Sequence, residues 1–125
     1  MVKLLKCMHC GNIVEMVEDK GVPVVCCGDK MTVLEPNTTD AAQEKHVPVV
    51  EVEGNVVKVT VGSVEHPMTE EHYIGFIYLE TTLGLKKAML DHTGKPVAEF
   101  ALLDGEKPVA AYEYCNLHGF WKKEL

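Results

Sequence analysis

The five cysteines of the chain divide into a group of four and one that stands apart. Cys7 and Cys10 are separated by two residues, and Cys26 and Cys27 are adjacent. Four thiolates complete one tetrahedral metal site, and an all-sulfur site suits zinc or iron. Gly11 permits a tight turn after the first pair, whereas the adjacent pair requires a sharp bend. We predict that these four cysteines bind one metal ion, whose identity the spacing does not decide.

Disulfide pairing within each pair is the alternative interpretation of these cysteines. A disulfide between adjacent cysteines is strained, and the cytosol keeps thiols reduced. The chain has no apolar run of about 18 residues that would span a membrane. Its first six residues are too short for a signal peptide. We therefore expect a cytoplasmic protein whose cysteines bind metal rather than pair with each other.

Cys115 is the fifth cysteine, and four histidines are its candidate partners. His118 follows it by three residues, and the others are His46, His66 and His72. The strand pattern places all of them at strand ends or in loops, so one rim of a sandwich could bring them together. Four ligands satisfy zinc, whereas five fit iron with an open sixth position. Surface exposure is the favoured interpretation of any single histidine, but not of this set beside a cysteine.

Glu44 and Lys45 directly precede His46. Taken alone, they read as a solvated charge pair on a helical turn. Beside an iron ion with an open coordination position, both side chains could take part in the chemistry. The carboxylate of Glu44 would be within reach of the metal, and the cation of Lys45 would attract an anion.

Residues 1–36 are predicted to form a first domain of short strands separated by glycines. A piece below about 40 residues usually needs a metal, disulfides or oligomerisation to fold. Residues 37–45 read as a linker to a second domain, residues 37–125. The linker contains a predicted helical turn over residues 41–44, capped by Thr39 or Asp40.

The second domain reads as β. Gly54 and Asn55 form a plausible two-residue hairpin loop between the first two predicted strands. Four further strands are predicted over residues 72–82, 85–90, 97–102 and 109–115. This number of short strands with regular turns predicts an antiparallel sandwich of immunoglobulin type. Cys115 and His118 are placed on the loop after the last strand.

The charge of the chain excludes one class of function. The formal net charge is −7 at pH 7, and nucleic-acid binding would require a basic stripe. An acidic protein also repels small anions at long range. Screening over about 8 Å at physiological salt leaves a local positive patch decisive.

The sequence resembles desulfoferrodoxin, the two-iron form of superoxide reductase. The resemblance covers nearly the whole chain and rests on these segments: Cys7-x-x-Cys10 with Cys26-Cys27, Glu44-Lys45-His46-Val47-Pro48, Gly62-Ser63-Val64-Glu65-His66-Pro67-Met68, Glu71-His72-Tyr73-Ile74 and Glu113-Tyr114-Cys115-Asn116-Leu117-His118-Gly119. It implies a desulforedoxin-like first domain, in which the four N-terminal cysteines hold one iron. It further implies a second, catalytic iron with the four histidines around its equator and Cys115 as its axial ligand.

The resemblance also implies an activity and partners. The expected reaction is the one-electron reduction of superoxide to hydrogen peroxide. Lys45 would orient water toward the reacting oxygen, and Glu44 would fill the sixth position in the resting state. The first iron would either relay electrons from a donor such as rubredoxin or be structural. The expected assembly is a homodimer.

Two rival functions remain open at this point. One is a rubredoxin-like electron-transfer protein without catalytic activity. The other is a binding module with zinc in the first site and an adhesive sandwich behind it. Cys115 argues against both, because neither needs a thiolate together with four histidines.

Overall fold

The computed structural model describes residues 2–125 of the chain. The chain divides into two compact units, of which the first ends at Glu35 and the second comprises Pro36–Leu125. The division lies one residue before the boundary expected from the sequence. Within the described range, no helix has the length and apolar character needed to cross a membrane.

The first unit consists of five very short strands: β1 Leu4–Lys6, β2 Ile13–Glu15, β3 Val25–Cys26, β4 Asp29–Lys30 and β5 Thr32–Val33. Three of them form an antiparallel sheet in the order β2-β1-β5, and β3 and β4 form a separate hairpin. Among the described residues of this unit, the buried apolar ones are Leu4, Leu5 and Cys7. So small a core makes a bound metal the expected source of stability.

The second unit contains one short helix and seven strands: α1 Gln43–His46, β6 Pro48–Glu53, β7 Val56–Val61, β8 Ile74–Thr81, β9 Gly84–Met89, β10 Val97–Ala101, β11 Pro108–Cys115 and β12 Gly119–Glu124. They form two antiparallel sheets, in the orders β10-β7-β6 and β12-β11-β8-β9. The predicted fold class, a small metal-binding N-terminal unit plus an immunoglobulin-like antiparallel sandwich, is confirmed.

The core of the second unit lies between its two sheets. Alternate residues of β7 point inward, namely Val57, Val59 and Val61, and all three are completely buried. They pack with inward residues of β8, β10 and β11, and Cys115 belongs to the same cluster. Because Cys115 ends β11 inside this core, its position is fixed by packing on both sheets rather than by a mobile loop.

Two local predictions were wrong. The helix α1 begins two residues later than expected, and its N-cap is Ala42, which makes no side-chain cap hydrogen bond. Neither Thr39 nor Asp40 caps it. The helix is instead tied to the rest of the second unit through a carbonyl, because the carbonyl of Glu44 accepts a hydrogen bond from the amide of Val64 at 2.9 Å.

The second wrong prediction concerns the end of the chain, where β12 was not expected. Cys115 is the last residue of β11 and pairs with Gly119, whereas His118 lies on the tight turn between β11 and β12 rather than on a loop after the last strand. Gly119 has φ +83, a left-handed conformation that glycine adopts without strain. The turn therefore returns the chain immediately, and the two site residues lie at one end of a hairpin.

Candidate metal centres

The four N-terminal cysteines converge as predicted. Their sulfur atoms all lie within 4.8 Å of one another. All four are free thiols, so the alternative of two disulfides is not what the structure contains. The group includes the buried Cys7 and the exposed Cys10 and Cys27, which places the centre at the surface of the first unit.

Backbone amides support the first pair of sulfurs. The chain turns tightly after Cys7, where the amide of Gly11 donates to the Cys7 carbonyl at 2.9 Å. The amide of Cys10 then points to the sulfur of Cys7, and the amide of Asn12 to the sulfur of Cys10, each at 3.5 Å. Hydrogen bonds to the sulfurs orient them and stabilise their negative charge.

The adjacent pair sits on the β3–β4 hairpin. Cys26 ends β3, and the two-residue turn consists of Cys27 with φ 53 and Gly28 with φ 80. Two consecutive left-handed residues are typical of the tight turn that matches strand twist. The sharp bend expected between the two cysteines is present, and it aims both sulfurs at the same point.

The thiols of the first centre interact strongly. The amide of Cys10 lowers the pKa of Cys7 to about 6. The neighbouring Cys10 sulfur contributes most to raising the pKa of Cys27 to about 12. Without a cation, the group therefore holds negative charge on one sulfur and protons on others. A metal ion displaces those protons, so binding is coupled to pH.

The second group of ligand atoms comes from three distant segments of the chain. Nitrogen atoms of His46, His66 and His72 and the sulfur of Cys115 lie within 4.8 Å of one another. The Nδ1 atom of His118 lies 3.2 Å from Nε2 of His46 and 3.9 Å from the Cys115 sulfur. The structure thus brings together all five residues that were predicted for the second centre.

Backbone carbonyls fix the tautomers of two histidines. Nδ1 of His46 donates to the carbonyl of Ala42 at 2.7 Å, and Nδ1 of His66 donates to the carbonyl of Pro67 at 2.7 Å. Because each Nδ1 carries the proton, each Nε2 presents a lone pair. Such hydrogen bonds orient imidazoles for metal binding.

The donor set fits a transition-metal cation. Within the described part of the chain, the buried Nε2 atoms of His66 and His72 have no hydrogen-bond partner, and unpaired buried polar atoms are rare. Burial lowers the pKa of His66 to about 4 and also lowers the pKa of His46 and His72, so the rings are neutral at pH 7. Neutral imidazoles beside one buried thiol are ligands that iron accepts.

Cys115 needs the metal in order to ionise. It is completely buried, and burial raises the pKa of its thiol, although the backbone of Leu117 and His118 acts in the opposite direction. The thiolate is favoured once a cation lies beside it. The same two amides would then donate to the bound sulfur.

Two supporting residues were missed from the sequence. The ring of Trp121 stacks on His46 with centroids 5.0 Å apart, and its Nε1 donates to the carbonyl of His118 at 3.0 Å. Asn116 connects the turn after Cys115 with the segment around His72. Its side chain accepts a hydrogen bond from the Tyr73 amide and donates one to the Glu71 carbonyl, both at 2.9 Å. The single tryptophan and an asparagine inside Cys-x-x-His were the available signals.

Glu113 is the third residue that sequence reasoning left without a role. It is completely buried on β11, two residues before Cys115. Neither carboxyl oxygen has a hydrogen-bond partner in the described residues. Burial raises its pKa to about 9, so the side chain is a neutral acid at pH 7.

Glu44 and Lys45 lie on α1 and both are exposed. Lys45 acts electrostatically on the second group of ligands. After burial and the neighbouring histidines, its charge contributes to the lowered pKa of His72 and of His46. Glu44 acts in the opposite direction on the pKa of His46.

A four-sulfur centre on a small unit and a histidine-cysteine centre on an immunoglobulin-like sandwich define a non-haem metalloprotein with two distinct sites. Two family models agree with this division. The one described as Desulfoferrodoxin matches residues 38–124, and the one described as Desulfoferrodoxin, N-terminal domain, matches residues 2–34. The chain belongs to the desulfoferrodoxin family.

Individual relatives extend over the whole chain. A desulfoferrodoxin of Nitratidesulfovibrio vulgaris is 48% identical over 122 residues, which is 98% of this chain and 95% of the relative. The superoxide reductase from Treponema pallidum matches in structure with a TM-score of 0.84 and 40% identity, covering 99% of each chain. The superoxide reductase (1Fe-SOR) from Giardia intestinalis covers 66% of this chain and 99% of its own, with a TM-score of 0.57 and 42% identity.

Proposed function

We propose that the protein is a superoxide reductase that converts superoxide, one electron and two protons into hydrogen peroxide. The observation that carries this proposal is the convergence of three neutral imidazoles and the buried Cys115 thiol on one point, with a fourth imidazole in contact. Relatives named superoxide reductase over the same residues support it. The cofactors are two iron ions, one in each centre.

The iron of the second centre would be held by four histidines and one cysteine: His46, His66, His72, His118 and Cys115. The chemistry that this ion supplies is the transfer of one electron to superoxide. Four neutral imidazoles and one thiolate leave a ferrous ion with 2 − 1 = +1 charge. The centre is then locally positive although the chain carries −7.

Lys45 attracts the anionic substrate. Its charge already acts on His46 and His72, and local charge dominates at physiological salt because distant charges are screened. Its ammonium group has three donors, so it can also hold water that supplies the two protons. Glu44, the neighbouring carboxylate, is the candidate sixth ligand when no superoxide is present.

The first centre is proposed as an electron relay. Its sulfurs are partly exposed, which would let a donor such as rubredoxin approach. A purely structural role is the alternative, because five strands of two or three residues depend on the metal for stability. The reaction of a pre-reduced second centre would be the same under either role.

The remaining proposals concern the setting of the protein. Five free thiols suit a reducing compartment, and we place the protein in the cytoplasm. There it would detoxify superoxide under oxidative stress. A homodimer is the proposed assembly.

The test uses product stoichiometry. The iron-loaded, pre-reduced protein is mixed anaerobically with superoxide, and hydrogen peroxide and dioxygen are both measured. Reductase activity gives one peroxide for each superoxide and no dioxygen. Dismutase activity would release dioxygen, and a pure electron carrier would consume no superoxide at the second centre; either result would overturn the proposal.

A further inference from the structure

The helix that carries Glu44 and Lys45 does not hold itself in place. It spans only Gln43–His46 and lacks a side-chain cap. A single helical turn is unstable on its own, because nucleation fixes several residues for one hydrogen bond. Contacts from elsewhere in the second unit must therefore define the position of its backbone.

Those contacts come from residues 62–64, which we name the 62–64 turn. The carbonyl of Glu44 accepts two hydrogen bonds from it, one from the amide of Val64 at 2.9 Å and one from the hydroxyl of Ser63 at 3.2 Å. Both donors belong to the loop that follows β7. The carbonyl of Glu44, directly before Lys45, is thus held in place by residues of the sandwich.

Gly62 makes the approach possible. A Cβ atom at this position would lie 2.6 Å from the carbonyl oxygen of Glu44 and 3.0 Å from the carbonyl carbon of Lys45. Both neighbours are backbone atoms, so no side chain can move aside to make room. The helix rests on the 62–64 turn more closely than any other residue type at this position permits.

The 62–64 turn is itself fixed to the ligand His66. The amide of His66 donates to the carbonyl of Val61 at 3.0 Å, and the amide of Gly62 donates to the carbonyl of Val64 at 3.3 Å. Val61 is completely buried at the end of β7. One rigid turn therefore connects a ligand of the second centre with the backbone of α1.

We propose that the 62–64 turn is a positioning element that sets Lys45, through the backbone of α1, at a defined place relative to the histidine ligands. Gly62 and Ser63 would be positioning residues and not catalytic ones. This inference rests on the proposed function, because it explains how the Lys45 charge that attracts superoxide is kept close to the histidine ligands. It assigns a role to a part of the chain that contacts neither metal ligand atoms nor substrate.

The first test is Gly62→Ala, compared with Gly94→Ala as a matched control. A Cβ atom at Gly94 meets its nearest atom, the Asp91 carbonyl oxygen, at 3.5 Å, an ordinary contact. We expect Gly62→Ala to keep two irons per chain and to lower the second-order rate with superoxide by about tenfold and no more than Lys45→Ile does, because a displaced charge costs at most what a deleted charge costs. Gly94→Ala should react like the wild type.

A double-mutant cycle identifies Lys45 as the affected group. In a Lys45→Ile background, Gly62→Ala should cause no further loss. The salt dependence of the rate should be flatter in Gly62→Ala than in the wild type, but less flat than in Lys45→Ile, which lacks the charge. Additive losses would overturn the inference, because the 62–64 turn would then act by another route. An unchanged rate in Gly62→Ala would also overturn it.

Ser63 provides a milder variant in case Gly62→Ala does not fold. Ser63→Ala removes one of the two hydrogen bonds to Glu44 and should lower the rate by about twofold to tenfold, whereas Ser63→Thr keeps the hydroxyl and should restore it. A readout independent of activity is hydrogen exchange at the Val64 amide, which should accelerate in Gly62→Ala and Ser63→Ala. Unchanged exchange and rate in Ser63→Ala would contradict the inference.

These outcomes are separable from a failure of the proposed function. If the protein were not a superoxide reductase, the wild type itself would not consume superoxide. The hydrogen-exchange experiment would still report whether the 62–64 turn holds α1. A failure of the positioning inference alone would appear only in the variants, with the wild type fully active.

Discussion

The two metal centres are built in opposite ways. The first takes all its ligands from residues 7–27, on turns at the surface of five short strands. The second group of possible ligands comes from residues 46–115, with His118 in contact, at strand ends and turns around a packed core. Four thiolates would close the first centre to further ligands, whereas one thiolate among neutral imidazoles would leave a ferrous ion in the second with net positive charge. A local sequence motif suffices for a closed site, but the reactive site needs the whole sandwich.

Removing the Cys115 sulfur should break the second centre and spare the first. Cys115→Ser replaces the thiol with a hydroxyl that stays neutral in a fully buried position, so the second centre would lose the thiolate that is proposed to hold its iron. We expect superoxide consumption to be abolished and iron content to fall toward one per chain. The absorption of the four-sulfur centre should persist, because the two groups share no ligand. Retained activity would show that the two centres were assigned to the wrong roles.

Changing Lys45 should slow the reaction without removing metal. Lys45→Ile deletes the charge that acts on His46 and His72. We expect the second-order rate to fall by at least about tenfold and its salt dependence to flatten, as for other electrostatically steered encounters. Glu44→Gln is the matched control, because it removes a negative charge one residue away and should not slow the approach of an anion. A rate in Lys45→Ile equal to that of the wild type would remove this residue from the mechanism.

The second unit should also respond to pH through Glu113. Burial raises its pKa from 4.5 to about 9, so the folded protein retains a proton that the unfolded chain releases. The free energy of unfolding should therefore fall as pH rises from 4.5 toward 9, by up to about 1.4 kcal/mol per pH unit. Glu113→Gln should flatten this dependence.

The measurement is urea unfolding across that pH range, followed through the fluorescence of Trp121, the single tryptophan of the chain. Glu106→Gln is the control. The pKa of Glu106 is lowered, chiefly by the hydrogen bond from Thr81, so its contribution is present at neutral pH and lost in acid. A steep decline persisting in Glu113→Gln would assign the effect to another group.

The smallest effect is expected from the first centre. Cys27→Ser removes one of its four sulfurs and should abolish or shift its absorption. The second-order reaction of a chemically pre-reduced second centre should not change. If the first centre relays electrons, turnover with rubredoxin as donor should fall, whereas a structural role predicts unchanged turnover in chains that remain folded.

Sequence reasoning succeeded where ligands are close together or bounded by turn residues. The hairpin loop at Gly54 and Asn55 is present between β6 and β7, since Glu53 pairs with Val56. The Cys26-Cys27 bend follows from two left-handed residues in succession. Such features depend on local backbone conformation, which residue types largely decide.

Sequence reasoning failed where contacts between distant parts of the chain decide the local structure. The helix α1 has no capping side chain, and the carbonyl of its Glu44 accepts hydrogen bonds from the distant 62–64 turn. The strand β12 follows a three-residue turn in a region that was predicted to be a loop after the last strand. This strand places the ring of Trp121 against His46. The buried, unpaired state of Glu113 is likewise invisible without its neighbours across the sheet.

The sequence by itself determined the chemistry: which residues can bind metal, how they divide into two sets, and that the second set contains a single thiol. Only the tertiary structure decided the rest. It selected Nε2 of His46 and His66 by giving Nδ1 a carbonyl partner, buried Cys115 in the core, and set α1 on the 62–64 turn. The physical reason is that donor type is a property of a residue, whereas tautomer, burial and orientation are properties of its surroundings.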